Sequence, residues 1–158
     1  MKPFRAAESD RVTARFEAGE ASALSELADQ LVDRLRAGDD PSLSRLFPDA
    51  YPDDAEASAE FRRFTVDSLT AAKIENARSI ARALSSPDRG RGRVTVELDR
   101  AAAQSWLRAL TDIRLVLAEE LGIEHDGDTG FSGGFSNRRR ALVYAWLGYV
   151  QESLVQAL

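Results

Sequence analysis

Lys73 and Asn76 lie one helical turn apart, in a stretch whose residues Leu69, Ala72, Ala77, Ile80, Ala81 and Leu84 form a helical apolar face, with Lys73 four residues after Leu69 and four before Ala77. That spacing sets Lys73 on or beside an apolar face. A lysine so placed can be a tuned base or a binding group. It can also snorkel, its ammonium paired to a carboxylate such as Glu60 or Asp67. Two arginine clusters offer a different chemistry. Arg89, Arg91 and Arg93 alternate through SSPDRGRGRV. An extended Arg-Gly segment of this kind can follow a phosphate backbone or enter a minor groove, or it can be a solvated loop leading into a strand. Arg138, Arg139 and Arg140 open the last predicted helix, where cations oppose the helix dipole. A carboxylate of the same chain, a bound anion or a nucleic-acid phosphate would compensate them.

Other chemistries are closed off. The chain has no cysteine, one histidine (His125) and one methionine, Met1. There is therefore no thiolate nucleophile, no Cys-rich metal site and no disulfide within these residues. A Ser-His-Asp relay would have to run through His125, which sits in a Gly- and Asp-rich stretch. Glu124, Asp126 and Asp128 alternate before Gly130, but the closing glutamate and correctly placed glycine of a calcium loop are missing. Gly130, Gly133 and Gly134 are not followed by Lys-Ser/Thr, so no phosphate-binding P-loop is present. No metal, no cofactor and no catalytic residue is expected. Trp106, Trp146, Tyr144 and Tyr149 fall at helical spacings in apolar stretches and read as core, with an interface as the alternative.

The 158 residues are 44% hydrophobic and 30% charged, and the net charge is −5. A chain of this length buries roughly 70% of its unfolded surface without a disulfide or metal. Acidity opposes sequence-independent contact with phosphate backbones, so direct DNA binding is not expected. No apolar run reaches the ~20 residues that span a bilayer, and MKPFRAAESD lacks a signal peptide's apolar stretch. The expected location is cytoplasmic, away from membranes.

The elements that must position these residues follow from periodicity. Residues 3–7, 11–16 and 93–98 alternate as half-buried strands, the first two around the turn Glu8-Ser9-Asp10. Ala21, Leu24, Leu27, Ala28, Leu31, Val32 and Leu35 mark a helix stopped by Gly38. Pro41 can open a short helix carrying Leu43, Leu46 and Phe47. Asp53 or Asp54 caps either one helix to about residue 84 or two with a bend near Thr65. Asp99 caps a helix through Trp106, Leu110, Ile113 and Leu117 that Gly122 ends. The last helix begins near Asn137. Its stretch ALVYAWLGYV is apolar nearly all round and predicts the most buried helix. The fold class is α+β, mostly α: a small antiparallel three-stranded sheet on a bundle of five to six helices, in one domain over 1–158.

Residues 11–35 and 93–117 align without a gap. Arg11, Val12, Thr13, Ala21 and Leu35 match Arg93, Val94, Thr95, Ala103 and Leu117, and Leu24 aligns with Trp106. Any strand, acidic cap and amphipathic helix would look alike to this degree. The alternative is a duplicated unit, with pseudo-repeat halves 1–84 and 92–158, which would set the two strands side by side and antiparallel with both helices on one face.

Several stretches together resemble an actinobacterial family known as a domain of unknown function. They are KPFR at 2–5, VTARFEAGEASAL at 12–24, PDAYPDD at 48–54, EFRRFT at 60–65, AAKIENAR at 71–78 and YAWLGYVQESLV at 144–155. The family includes the oxidative-stress regulator AosR, described as sensing oxidation through a Cys-x-x-x-Cys disulfide and acting on transcription with a sigma factor. The resemblance implies a transcription-related role in the oxidative stress response. Neither cysteine is present here, so the redox sensor carries over to no residue. The reading that results is a non-enzymatic regulatory protein acting through a protein partner, such as a transcription component, with homo-oligomerisation open. The alternatives are a small-molecule binder or uncharacterised enzyme with a pocket near Lys73, and a direct DNA-binding regulator.

Overall fold

The computed structural model describes residues 1–47, 53–85, 92–125, 127–130 and 133–158, with the backbone alone at 61–64. Three strands, β1 (Lys2–Ala7), β2 (Arg11–Glu17) and β3 (Arg93–Leu98), form one sheet in the order β1-β2-β3. Both pairings are antiparallel. The β1–β2 turn places Ser9 and Asp10 at φ 60° and 58°. Two successive left-handed residues match the right-handed twist of a hairpin.

Four α-helices accompany the sheet: α1 (Ala18–Ala37), α2 (Ala55–Leu84), α3 (Arg100–Leu121) and α4 (Phe135–Ala157). A 3₁₀ helix, Pro41–Leu46, lies between α1 and α2. The expected punctuation is present. Gly38 and Gly122 end α1 and α3 in the left-handed region, at φ 79° and 67°. The Asp54 carboxylate accepts from the Ala57 N–H at 3.0 Å and the Asp99 carboxylate from the Ala102 N–H at 2.8 Å. Each side chain thereby satisfies a donor that its helix leaves open. α2 is one continuous helix and does not recap at Thr65.

The alternation of β2 and β3 puts Val12, Ala14, Phe16, Val94, Val96 and Leu98 on one buried face. Trp106 of α3 lies under that face with no exposed surface. Its ring centroid is 5.7 Å from Phe4 and 6.2 Å from Phe16. These rings join sheet and helices into one core, which also takes Leu24 of α1, Ile80 of α2 and Leu154 of α4.

The β2–β3 register pairs Val12 with Leu98, Ala14 with Val96 and Phe16 with Val94. Ala14 and Val96 are equivalent in the gapless alignment, and the pairs on either side exchange under it. This is the geometry that two copies related by a local two-fold axis require. Their helices bury matching positions: Ala21 and Ala103, Leu24 and Trp106, Leu35 and Leu117.

Burial of the helices departs from expectation. α3 is the most enclosed, with ten of its 22 residues buried, whereas α4 buries five of 23. α3 is in contact with α2, with α4 and with the 3₁₀ helix, but α4 packs mainly on α3 and β1. Its apolar residues continue past those two contacts, and the surplus reaches solvent. Tyr149, expected in the core, is 49% exposed.

Candidate functional site

Lys73 leaves α2 toward α3, and its Nζ donates to Asp112 Oδ1 at 2.8 Å. The partner is therefore not Glu60 or Asp67, both of which are exposed on α2. The Asp112 side chain is 6% exposed and that of Lys73 20%. The ammonium also sits 5.9 Å from the Phe47 ring centroid, within the range of a cation–π contact. Burial pushes the Asp112 carboxyl above the ordinary carboxylate value, against the hydrogen bond and the charge of Lys73, which pull it down. Its second oxygen, Oδ2, has no hydrogen-bond partner among the described residues.

Asn76 lines the same open cleft, about 440 Å³, together with Leu69, Ala72, Leu107, Arg108 and Thr111. Lys73 and Asn76 are thus brought together as the sequence suggested. Asp112 is the member that sequence reasoning missed. The signal was available: Asp112 lies three residues after Ala109 and four before Val116, within the buried stripe of α3. The cleft has a carboxylate, an ammonium and an amide, but the ammonium is already tied to the carboxylate. The nearby Thr111 hydroxyl is also engaged, donating to the Leu107 carbonyl at 2.9 Å and accepting from Gln151 at 2.7 Å. No activated nucleophile is assembled there.

The arginine clusters fare differently. Arg89 and Arg91 lie outside the described residues. Arg93 pairs with Glu17 across the β2–β3 ladder at 3.0 Å, on the surface. Arg138, Arg139 and Arg140 are exposed in the first turns of α4. The expected carboxylate from the same chain is not there: among the described residues, none forms an ion pair with these three. Nearby acids are already taken. Arg34 holds Glu120 at 2.6 Å, and Arg45 holds Glu119 at 2.6 Å. Asp128 is occupied as well. Its carboxylate accepts the Glu124 and His125 N–H groups, each at 3.1 Å, which holds it below its ordinary value. It closes a turn, and the described residues contain no cluster of three or more metal-ligating side chains.

The least expected feature is on α4. Phe135 is 78% exposed, Leu142 60% and Tyr149 49%. They are seven residues apart and so share one face of the helix. Arg138, Ala145 and Glu152, also exposed, fall between them or just beyond. Sequence reasoning read Leu142 and Tyr149, within ALVYAWLGYV, as core because it could see that this stretch is apolar, but not how few neighbours α4 has.

The family model for a domain of unknown function, DUF2017, matches residues 1–158. The chain belongs to the DUF2017 family. It is 34% identical over 153 residues to a putative oxidative stress regulator AosR of Mycobacterium leprae, an alignment covering 87% of this chain and 69% of that protein. It is 35% identical over 130 residues to the oxidative stress regulator AosR of Mycobacterium tuberculosis (strain H37Rv), covering 75% and 58%. The Mycobacterium bovis protein of the same name gives the same figures, 35%, 75% and 58%. The alignments thus take in 58% to 69% of the length of these relatives. No solved structure matches this DUF2017 chain.

Proposed function

We propose that this chain is a regulatory module of the oxidative stress response that works by protein contact rather than by catalysis. The observation that carries the reading is the apolar stripe on α4, with Phe135, Leu142 and Tyr149 in solvent on one helix face. Leu142 alone would be unremarkable, but an aligned set marks a contact surface. Relatives named oxidative stress regulator support the biological setting. Within these residues the contact cannot be switched by a thiol, since no cysteine is present. Any link to transcription runs through a further protein rather than through DNA contact by this chain, whose net charge is −5. The test is complementation. A strain lacking the gene is challenged with peroxide and supplied with wild-type protein or with Leu142→Glu/Tyr149→Glu. Wild type should restore survival, and the double variant, equally abundant and equally helical, should not. Full rescue by the double variant would refute this use of α4.

A second reading is favoured by one atom. Asp112 Oδ2 is buried and unpaired beside an open cleft, where a ligand carrying an N–H donor could satisfy it. This would make the family member a small-molecule binder at Lys73 and Asn76.

A further inference from the structure

The stripe on α4 has a spacing that its exposure alone does not require. Phe135, Arg138, Leu142, Ala145, Tyr149 and Glu152 follow one another at intervals of three, four, three, four and three. All six are exposed. That is the a/d alternation of a coiled-coil seam, displayed to solvent. We propose that the seam is closed by a second copy of this chain, α4 packing antiparallel on α4 about a two-fold axis. This inference rests on the reading of α4 as a contact surface and names its occupant.

The argument is the order of charge and size along the seam. Run against itself in reverse, with Leu142 opposite Ala145 of the second copy, the seam also sets Arg138 opposite Tyr149. The central layers are then apolar, and small Ala145 lets the helices approach. Arg138 lies over a tyrosine ring and about 4.5 Å along the axis from Glu152 of the other copy, three residues at the helical rise. A long guanidinium arm spans that distance. The two-fold repeats every pair, so both arginines and both glutamates are matched. A parallel pair would instead bring Arg138 onto Arg138 and Glu152 onto Glu152. Within its own chain Arg138 has no ion-pair partner among the described residues. Glu152 meets only Gln156, whose Nε2 donates to it at 2.8 Å. The seam is therefore self-complementary in one direction only. It is also short, so the association should be weak and reversible.

The test uses charge reversal and mixing. Arg138→Glu and Glu152→Arg are surface changes, and unaltered helicity and melting temperature would confirm that both variants fold. Sedimentation of the wild-type chain from about 10 to 500 μM should show a monomer–dimer equilibrium, given the small interface. Each variant alone should lose about tenfold in association constant, because its two ion pairs become two like-charge pairs. Mixed one to one, the variants restore both pairs. The glutamate introduced at position 138 of one chain lies within reach of the arginine introduced at position 152 of the other, and the first chain's unaltered Glu152 within reach of the second chain's unaltered Arg138. The mixture should dimerise about as well as wild type, as a heterodimer seen by labelling one component. A wild type that stays monomeric over this range would overturn the proposal, and so would a mixture no tighter than its components. If the chain is monomeric and Leu142→Glu/Tyr149→Glu still fails to rescue the deletion strain, the occupant is wrong while the contact surface stands. Full rescue by that double variant together with a confirmed dimer would sink the surface's regulatory use and leave the dimer intact.

Discussion

Asp112 carries a charge that its burial disfavours. Folding removes its carboxylate from water and returns one ammonium and no second donor. Its pKa lies above the unfolded value near 3.8 because of burial, with Lys73 working the other way. The sign of the linkage follows. Between the unfolded and the higher folded pKa the native state holds more protons, so stability falls as pH rises through that window. Asp128, fixed by two backbone N–H groups, behaves oppositely: its contribution is present above the unfolded pKa and is lost as pH falls. Carboxyl NMR titration should therefore find the Asp112 midpoint above 3.8 and the Asp128 midpoint below it. Asp112→Asn should flatten the loss of stability with rising pH just above 3.8 in denaturant titrations. An Asp112 midpoint at or below the ordinary value would mean that Lys73 outweighs burial.

At the scale of elements, the contrast between α3 and α4 has a measurable consequence. Trp106 of α3 is wholly enclosed, while Trp146 of α4 is partly exposed. Trp106→Ala should cost roughly 3–5 kcal/mol, the usual range for a large buried aromatic, and Trp146→Ala distinctly less. Urea unfolding of the two variants checks the order, and equal losses would contradict the difference in burial. Sequence periodicity placed Trp106 correctly, because α3 alternates apolar and polar faces and has one way to pack. It misplaced Tyr149, because a run that is apolar all round contains no information about which side meets neighbours; Trp146 packs against the core without being enclosed. The strands, the Asp54 and Asp99 caps and the Gly38 and Gly122 stops were legible for a different reason: each is determined within a few residues of chain. The Lys73–Asp112 pair joins positions 39 apart, and its partner could be narrowed only by asking which carboxylate falls in a buried stripe.

At the scale of the whole molecule, charge decides what the surface can approach. The chain carries a net charge of −5 and Arg93 is spent on Glu17, which opposes the approach of a phosphate backbone; no helix among the described residues is long and apolar enough to cross a membrane. Random duplex DNA should bind more weakly than about 10⁻⁴ M at roughly 150 mM salt, the loose end of non-specific affinity. Fluorescence anisotropy across salt measures this directly. Micromolar binding with a steep salt slope that flattens in Arg138→Ala/Arg139→Ala/Arg140→Ala would make α4 a nucleic-acid contact instead.

The placement of the two tryptophans gives the chain a pair of built-in optical reporters. Trp106, sealed between Phe4 and Phe16, should emit at the blue end of the indole range and respond only when the core opens. Trp146, partly buried beside the exposed stripe, should shift and resist quenching when something covers α4. Trp146→Phe and Trp106→Phe then separate the signals. Unlabelled protein can report unfolding in one colour and docking in the other.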